Sequence, residues 1–116
     1  VGHARLLVMG FTFKENVPDI RNSKVADLVR ELSEFAGEVA IYDPHADPDD
    51  VHEEYGLAVT NALPAGPFDG LVIAVGHASI REIGKDVLTR LLALDRPTFI
   101  YDVKWLLPAS DVDGRI

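Results

Sequence analysis

Four short apolar runs punctuate the chain: RLLVMG at 5–10, EVAIYD at 38–43, GLVIAVG at 70–76 and TFIYDV at 98–103. The first and third are almost continuously hydrophobic, the pattern of strands buried on both faces. A weaker run, GLAVT at 56–60, predicts an edge strand. Between the runs the period lengthens. Val25, Leu28, Val29, Leu32, Phe35 and Ala36 recur at helical spacing behind Ser23, a good N-cap, with Gly37 as the stop. PDDVHEEYG at 48–56 predicts a short acidic helix with proline in its first turn. Residues 79–95 predict another helix, carrying Ile80, Ile83, Val87, Leu88, Leu91 and Leu92 and broken near Gly84.

Strands alternating with helices imply a mainly parallel sheet with helices on both faces. The expected class is α/β: one doubly wound, Rossmann-like, three-layer domain over residues 1–116. Five strands are expected, at 5–9, 38–42, 57–59, 70–75 and 98–101, and right-handed crossovers favour the order 3-2-1-4-5. Ligands of such sheets bind outside the carboxyl ends of the strands, where the winding reverses. Here that point lies between the first strand and the one at 70–75. The loops leaving them are GFTFKENVPDIRNSK (10–24) and GHAS (76–79).

The 116 residues carry a net charge of −8, which argues against a nucleic-acid or anionic-membrane surface, so any anionic ligand must be met by a local cluster of cations. There is no cysteine, which removes disulfides, thiolate metal sites and cysteine nucleophiles. No stretch approaches the roughly 20 apolar residues of a membrane span, and RLLVMGF is too short for a signal peptide. A soluble, cytoplasmic protein is expected. The chain opens directly on its first strand, which leaves room for it to be part of a longer polypeptide.

A dinucleotide site of the glycine-rich kind needs G-x-G-x-x-G, so that backbone N–H groups and a helix N-terminus meet pyrophosphate. Gly10 is instead followed by Phe11, Thr12, Phe13 and Lys14. Asp43 stands where a ribose-binding carboxylate would, yet Asp-Pro reads more readily as a turn. Lys14, Arg21 and Lys24, with Lys104 after the last strand, could cradle phosphates. Phe11 and Phe13 could face a base or wall off a sugar. Lys14 and Arg21 could equally pair with Glu15 and Asp19 as solvated charges. His77 could bond a ligand or cap a loop. The segment 43–54 holds two histidines and six carboxylates but matches no zinc spacing, and reads as a solvated turn and helix start. Tyr101 and Trp105 read as packing residues, and nothing resembles a Ser–His–Asp triad. Composition and spacing thus reach an anionic-ligand crevice and no reaction.

The long loop carries a likeness. GFTFKENVPDIRNSK resembles the signature opening the C-terminal, UDP-binding domain of the UDP-glucose/GDP-mannose dehydrogenase family, roughly G-[LF]-x-F-K-x-x-x-x-D-x-R-x-[ST]. Gly10, Phe13, Lys14, Asp19, Arg21 and Ser23 match it. The likeness continues through YDP (42–44), AVGH (74–77) and IYDVKWLLP (100–108), and looks nearest to the branch acting on UDP-N-acetyl-hexosamines for surface polysaccharides. The resemblance implies part of an NAD-dependent oxidation of a sugar C6 alcohol to a carboxylate, through an aldehyde and a cysteine thioester. Such enzymes have an N-terminal NAD domain and a central dimerisation region with the cysteine; this chain resembles only the last domain. Phe13 and Lys14 are then expected to contact the UDP-sugar, Arg21 to reach toward NAD held by the other domain, and Lys104 to replace an arginine that meets the nucleotide sugar. His77 joins them as a substrate-binding candidate. No catalytic residue and no metal ligand is expected here, and the full-length enzyme is expected to be a homodimer. The competing reading is a freestanding flavodoxin-like sensing domain or a structural module.

Overall fold

The computed structural model describes residues 4–11, 24–74, 83, 85–95, 97–102 and 114–115, with the backbone alone at 85–86, 101–102 and 114–115. Its elements are β1 (Arg5–Met9), α1 (Lys24–Ser33), β2 (Glu38–Tyr42), α2 (Pro48–Tyr55), β3 (Gly70–Ile73), α3 (Lys85–Leu91), β4 (Phe99–Asp102) and β5 (Gly114–Arg115). The fold is α/β around four parallel strands in the order β2-β1-β3-β4, with the two-residue β5 parallel on the outer edge of β4.

The four main apolar runs all became strands, and they pair in the order expected of them. The fifth expected strand did not. Residues 57–59 form no ladder; the chain meets β2 only at an isolated parallel bridge between Tyr42 and Thr60. The reason is local. Thr60 exchanges bonds with the strand end, through Thr60 N–H to Ile41 O at 2.9 Å and Asp43 N–H to Thr60 O at 3.0 Å. It then turns at Asn61, while Val59 is buried in the core and Leu57 packs against it. The edge beside β2 is thus a fastening, and the additional pairing lies at the opposite edge, on β4.

Alternation along β1 divides the interior. Val8 faces one apolar cluster with Val25, Ala26 and Val29 of α1, Val51 of α2, and Ile41 and Val72. Leu7 and Met9 face the other, with Phe68, Leu71, Ile73, Ile100, and Leu88 and Leu91 of α3. Both faces of the sheet are therefore covered, which is why β1 and β3 could be written with so few polar positions.

The helices follow their signals with two exceptions. In α2, Asp47 accepts the N–H of Asp49 at 2.9 Å as N-cap, and Gly56 closes the helix with φ 69° and an N–H to His52 O. In α1 the expected face fails at Phe35, which is 61% exposed. The helix ends at Ser33 in tighter i→i−3 bonds, from Glu34 to Glu31 and from Phe35 to Leu32, which rotate the ring off the core stripe. The expected stop, Gly37, instead donates to Ala4 O ahead of β1. In α3 the helix ends at Leu91, short of residue 95; Leu92 bridges to Phe68 and Leu94 is 95% exposed. No described helix is long and apolar enough to cross a membrane.

Candidate functional site

The winding reverses between β1 and β3: β2 lies on one side of β1, and the next strand in the chain lies on the other. The crevice expected on sequence grounds is therefore at the carboxyl ends of this pair. Gly10 leaves β1 with φ 101°, a conformation that an L side chain rarely adopts, and its N–H donates to Tyr42 O at 2.6 Å. Ala74 leaves β3 directly alongside, its N–H on Met9 O at 2.9 Å. The two connectors that carry Lys14, Arg21 and His77 thus start from adjacent, hydrogen-bonded strand ends.

Phe11 is fully buried. Its ring meets Tyr55 of α2 edge-on, with centroids 5.3 Å apart, inside the cluster beneath α1 and α2. It is therefore not available as a face for a base, contrary to the sequence expectation; burial worth roughly 1.5–3 kcal/mol holds it in the core. Its backbone is tied as firmly. Asp43, wholly buried, accepts the Phe11 N–H on Oδ2 at 2.6 Å. Its Oδ1 accepts the N–H of His45 at 2.7 Å and of Ala46 at 3.0 Å. The Asp-Pro turn reading holds, but the carboxylate is not solvated as expected. It is directed at the protein's own backbone and not toward a ribose.

Asn61 completes this corner. Its Nδ2 donates to Asp43 O at 2.8 Å and to Ala46 O at 2.7 Å, clamping the turn that presents the carboxylate. Sequence reasoning missed it; the available signal was a lone Asn directly after the 56–60 run. Burial, and secondly the neighbouring Asp43 charge, push the Tyr42 hydroxyl above its usual 10.0. Asp43 and Asp47 are both occupied by backbone N–H groups, and among the described residues no three His, Cys, Asp or Glu side chains converge to hold a metal ion.

Phe13, Lys14, Arg21, His77 and Lys104 lie outside the described residues, as do Ser23, Trp105 and the Tyr101 side chain. Lys24, the first residue of α1, is exposed. What the structure brings together is the set of departure points: Phe11 at β1, Ala74 at β3, and the backbone of Asp102 at the end of β4, beside β3.

These features define a parallel α/β domain of the kind that takes ligands at the carboxyl ends of its strands, built without a dinucleotide fingerprint. The chain belongs to the UDP-glucose/GDP-mannose dehydrogenase family, whose UDP binding domain model matches residues 7–109. It is 38% identical over 111 residues to a UDP-N-acetyl-D-glucosamine 6-dehydrogenase of Salmonella typhi, covering 96% of this chain and 26% of that protein. It is 39% identical over 116 residues to a UDP-N-acetyl-D-glucosamine 6-dehydrogenase of Pseudomonas aeruginosa, covering 100% of this chain and 27% of that protein. The chain thus spans about a quarter of the length of these relatives. The solved UDP-D-ManNAc dehydrogenase of Pyrococcus horikoshii shares the fold at a TM-score of 0.73 and 21% identity, over 98% of this chain and 25% of that one. So does the UDP-N-acetyl-mannosamine dehydrogenase Cap5O of Staphylococcus aureus, at 0.72 and 22%, over 99% and 26%. Membership in this family stands against the reading as a flavodoxin-like sensor.

Proposed function

We propose that this chain supplies the nucleotide-sugar half of the active site in a longer, cytoplasmic, NAD-dependent UDP-sugar 6-dehydrogenase, with a UDP-N-acetyl-hexosamine as substrate. One observation supports this above the others. The family signature starts at Gly10, at the carboxyl end of β1 and next to β3, where the winding of the sheet reverses. In this reading Lys14 and Lys104 neutralise the diphosphate, Phe13 and His77 line the nucleotide sugar, and Arg21 reaches NAD held by an N-terminal domain. In a chain of net charge −8, such cations have to be placed deliberately. The domain does not fit NAD by itself. It lacks the glycine fingerprint, and the carboxylate that would read a ribose is bonded to Phe11, His45 and Ala46. The oxidation, the thioester and dimerisation belong in this reading to the other domains.

The experiment is a UDP titration of this chain and of its Lys14→Ala variant by calorimetry, paired with kinetics of the same substitution in the full-length enzyme. Saturable UDP binding is expected, on the order of tenfold weaker in the variant, with a raised KM for the UDP-sugar. Equal affinity and unchanged KM would remove Lys14 from the site and the proposal with it.

A further inference from the structure

Asp43 is the one buried ionised side-chain type among the described residues, and a simple turn does not call for it. A buried carboxylate is costly unless its oxygens are satisfied. For the turn at 43–46 alone, one acceptor oxygen suffices, since His45 and Ala46 both donate to Oδ1. The second oxygen is used elsewhere, on the N–H of Phe11, a residue 32 positions away in sequence. Phe11 is the last described residue before 12–23, so this bond acts on the departure of the signature loop from β1. Two other restraints act beside it: the Gly10 N–H on Tyr42 O and the Phe11 ring against Tyr55. Lys14 stands three residues further along the sequence.

We propose that Asp43 is a positioning residue for the nucleotide crevice, its carboxylate setting the direction in which the Lys14-bearing connector leaves β1. This inference rests on the function proposed above. The structure also supplies its control. Asn61 holds the same turn through Asp43 O and Ala46 O and makes no bond to Phe11. Loss of Asn61 loosens the turn; loss of one Asp43 oxygen releases the connector. Asp43→Asn is selective for the second effect, because its one carbonyl can serve the turn while its N–H₂ group then opposes the Phe11 N–H, donor against donor.

The test compares wild type, Asp43→Asn and Asn61→Ala by UDP calorimetry, urea unfolding and backbone amide NMR. Both variants are expected to lose stability. Asp43→Asn is expected to bind UDP on the order of tenfold more weakly at equal folded fraction and to shift the amides of residues 11–14, whereas Asn61→Ala stays within about twofold of wild type. If Asp43→Asn does not fold, Asp43→Ser, which keeps a turn acceptor and presents no amide to Phe11, carries the same comparison. Equal affinity losses in both variants, unmoved amides at 11–14, or failure of both Asp43 variants to fold would mark the residue as structural and overturn the inference. A wild-type chain that does not bind UDP would instead sink the proposed function, and the amide comparison would still decide what sets the departure of the connector.

Discussion

Phe99 on β4 lays its ring over Gly70 on β3, in the place where a side chain at 70 would stand. The two are direct register partners in the parallel ladder and face the same side of the sheet as Val72. The aromatic ring fills what the glycine leaves open, a cross-strand device that keeps a side-chain-free position from becoming a void.

Gly70→Ala is therefore expected to destabilise the domain by only roughly 0.5–1.5 kcal/mol, the cost of turning the ring off its rotamer, since the new methyl meets the far end of a side chain that is 37% exposed and can swing aside. The same substitution in a Phe99→Ala background is expected to cost much less. Urea unfolding of the four proteins in a double-mutant cycle measures the coupling. A coupling near zero would show that the ring does not depend on the glycine.

Arg5 serves three partners at the start of β1: Nε to Glu38 at 2.9 Å, an N–H to Pro67 O at 2.8 Å, and a guanidinium 4.8 Å from the centre of the Phe68 ring. The pair with Glu38 is largely exposed and worth about 0–1 kcal/mol. The ring contact adds roughly 0.5–1 kcal/mol, and Pro67 O loses its donor if the arginine is removed. Arg5→Ala is expected to lower the urea midpoint clearly more than Glu38→Ala. Equal losses would place the whole effect in the ion pair.

The raised Tyr42 hydroxyl makes a directional statement about alkali. Its neutral form is favoured on folding, so its contribution is fully present below pH 10 and is lost as pH rises through the elevated native value. Stability of wild type is expected to fall more steeply above pH 10 than that of Tyr42→Phe. Urea midpoints measured from pH 9 to pH 11.5 (roughly the span in which a tyrosine and its buried counterpart separate) test this, and parallel curves would refute it.

Lys104 is assigned a charge and no fork. Lys104→Arg is expected to retain UDP affinity within about threefold, while Lys104→Glu is expected to abolish measurable binding, because a phosphate tolerates either cation but not a carboxylate. Calorimetry with UDP separates the two, and equal affinities would move Lys104 out of the site.

The strands were legible because a doubly covered strand has no polar face to confuse the pattern. Leu6 to Met9 and Leu71 to Ile73 could be read from hydrophobicity alone. GLAVT failed for the complementary reason. Its Val59 and Leu57 are core residues, and apolar content cannot distinguish a ladder from a single bridge followed by a turn. Phe35 sat on the right stripe for an ideal helix but falls where the last turn tightens, which depends on how Gly37 and Glu38 dock against Ala4. At the site, the reversal of winding between β1 and β3 followed from strand order. The burial of Phe11 and the double use of Asp43 did not, since both depend on α2 and on Asn61, remote in sequence.

Leu7 pairs with Ala40 on one side and Leu71 on the other. During synthesis the first strand therefore emerges long before either flank exists, and its second flank is complete only when most of the domain has been made. Until then these apolar residues depend on transient partners, and a chain that stops short of Gly70 leaves them with an open side. Of the described strands, the one that comes earliest in this chain is the one whose seat is completed late.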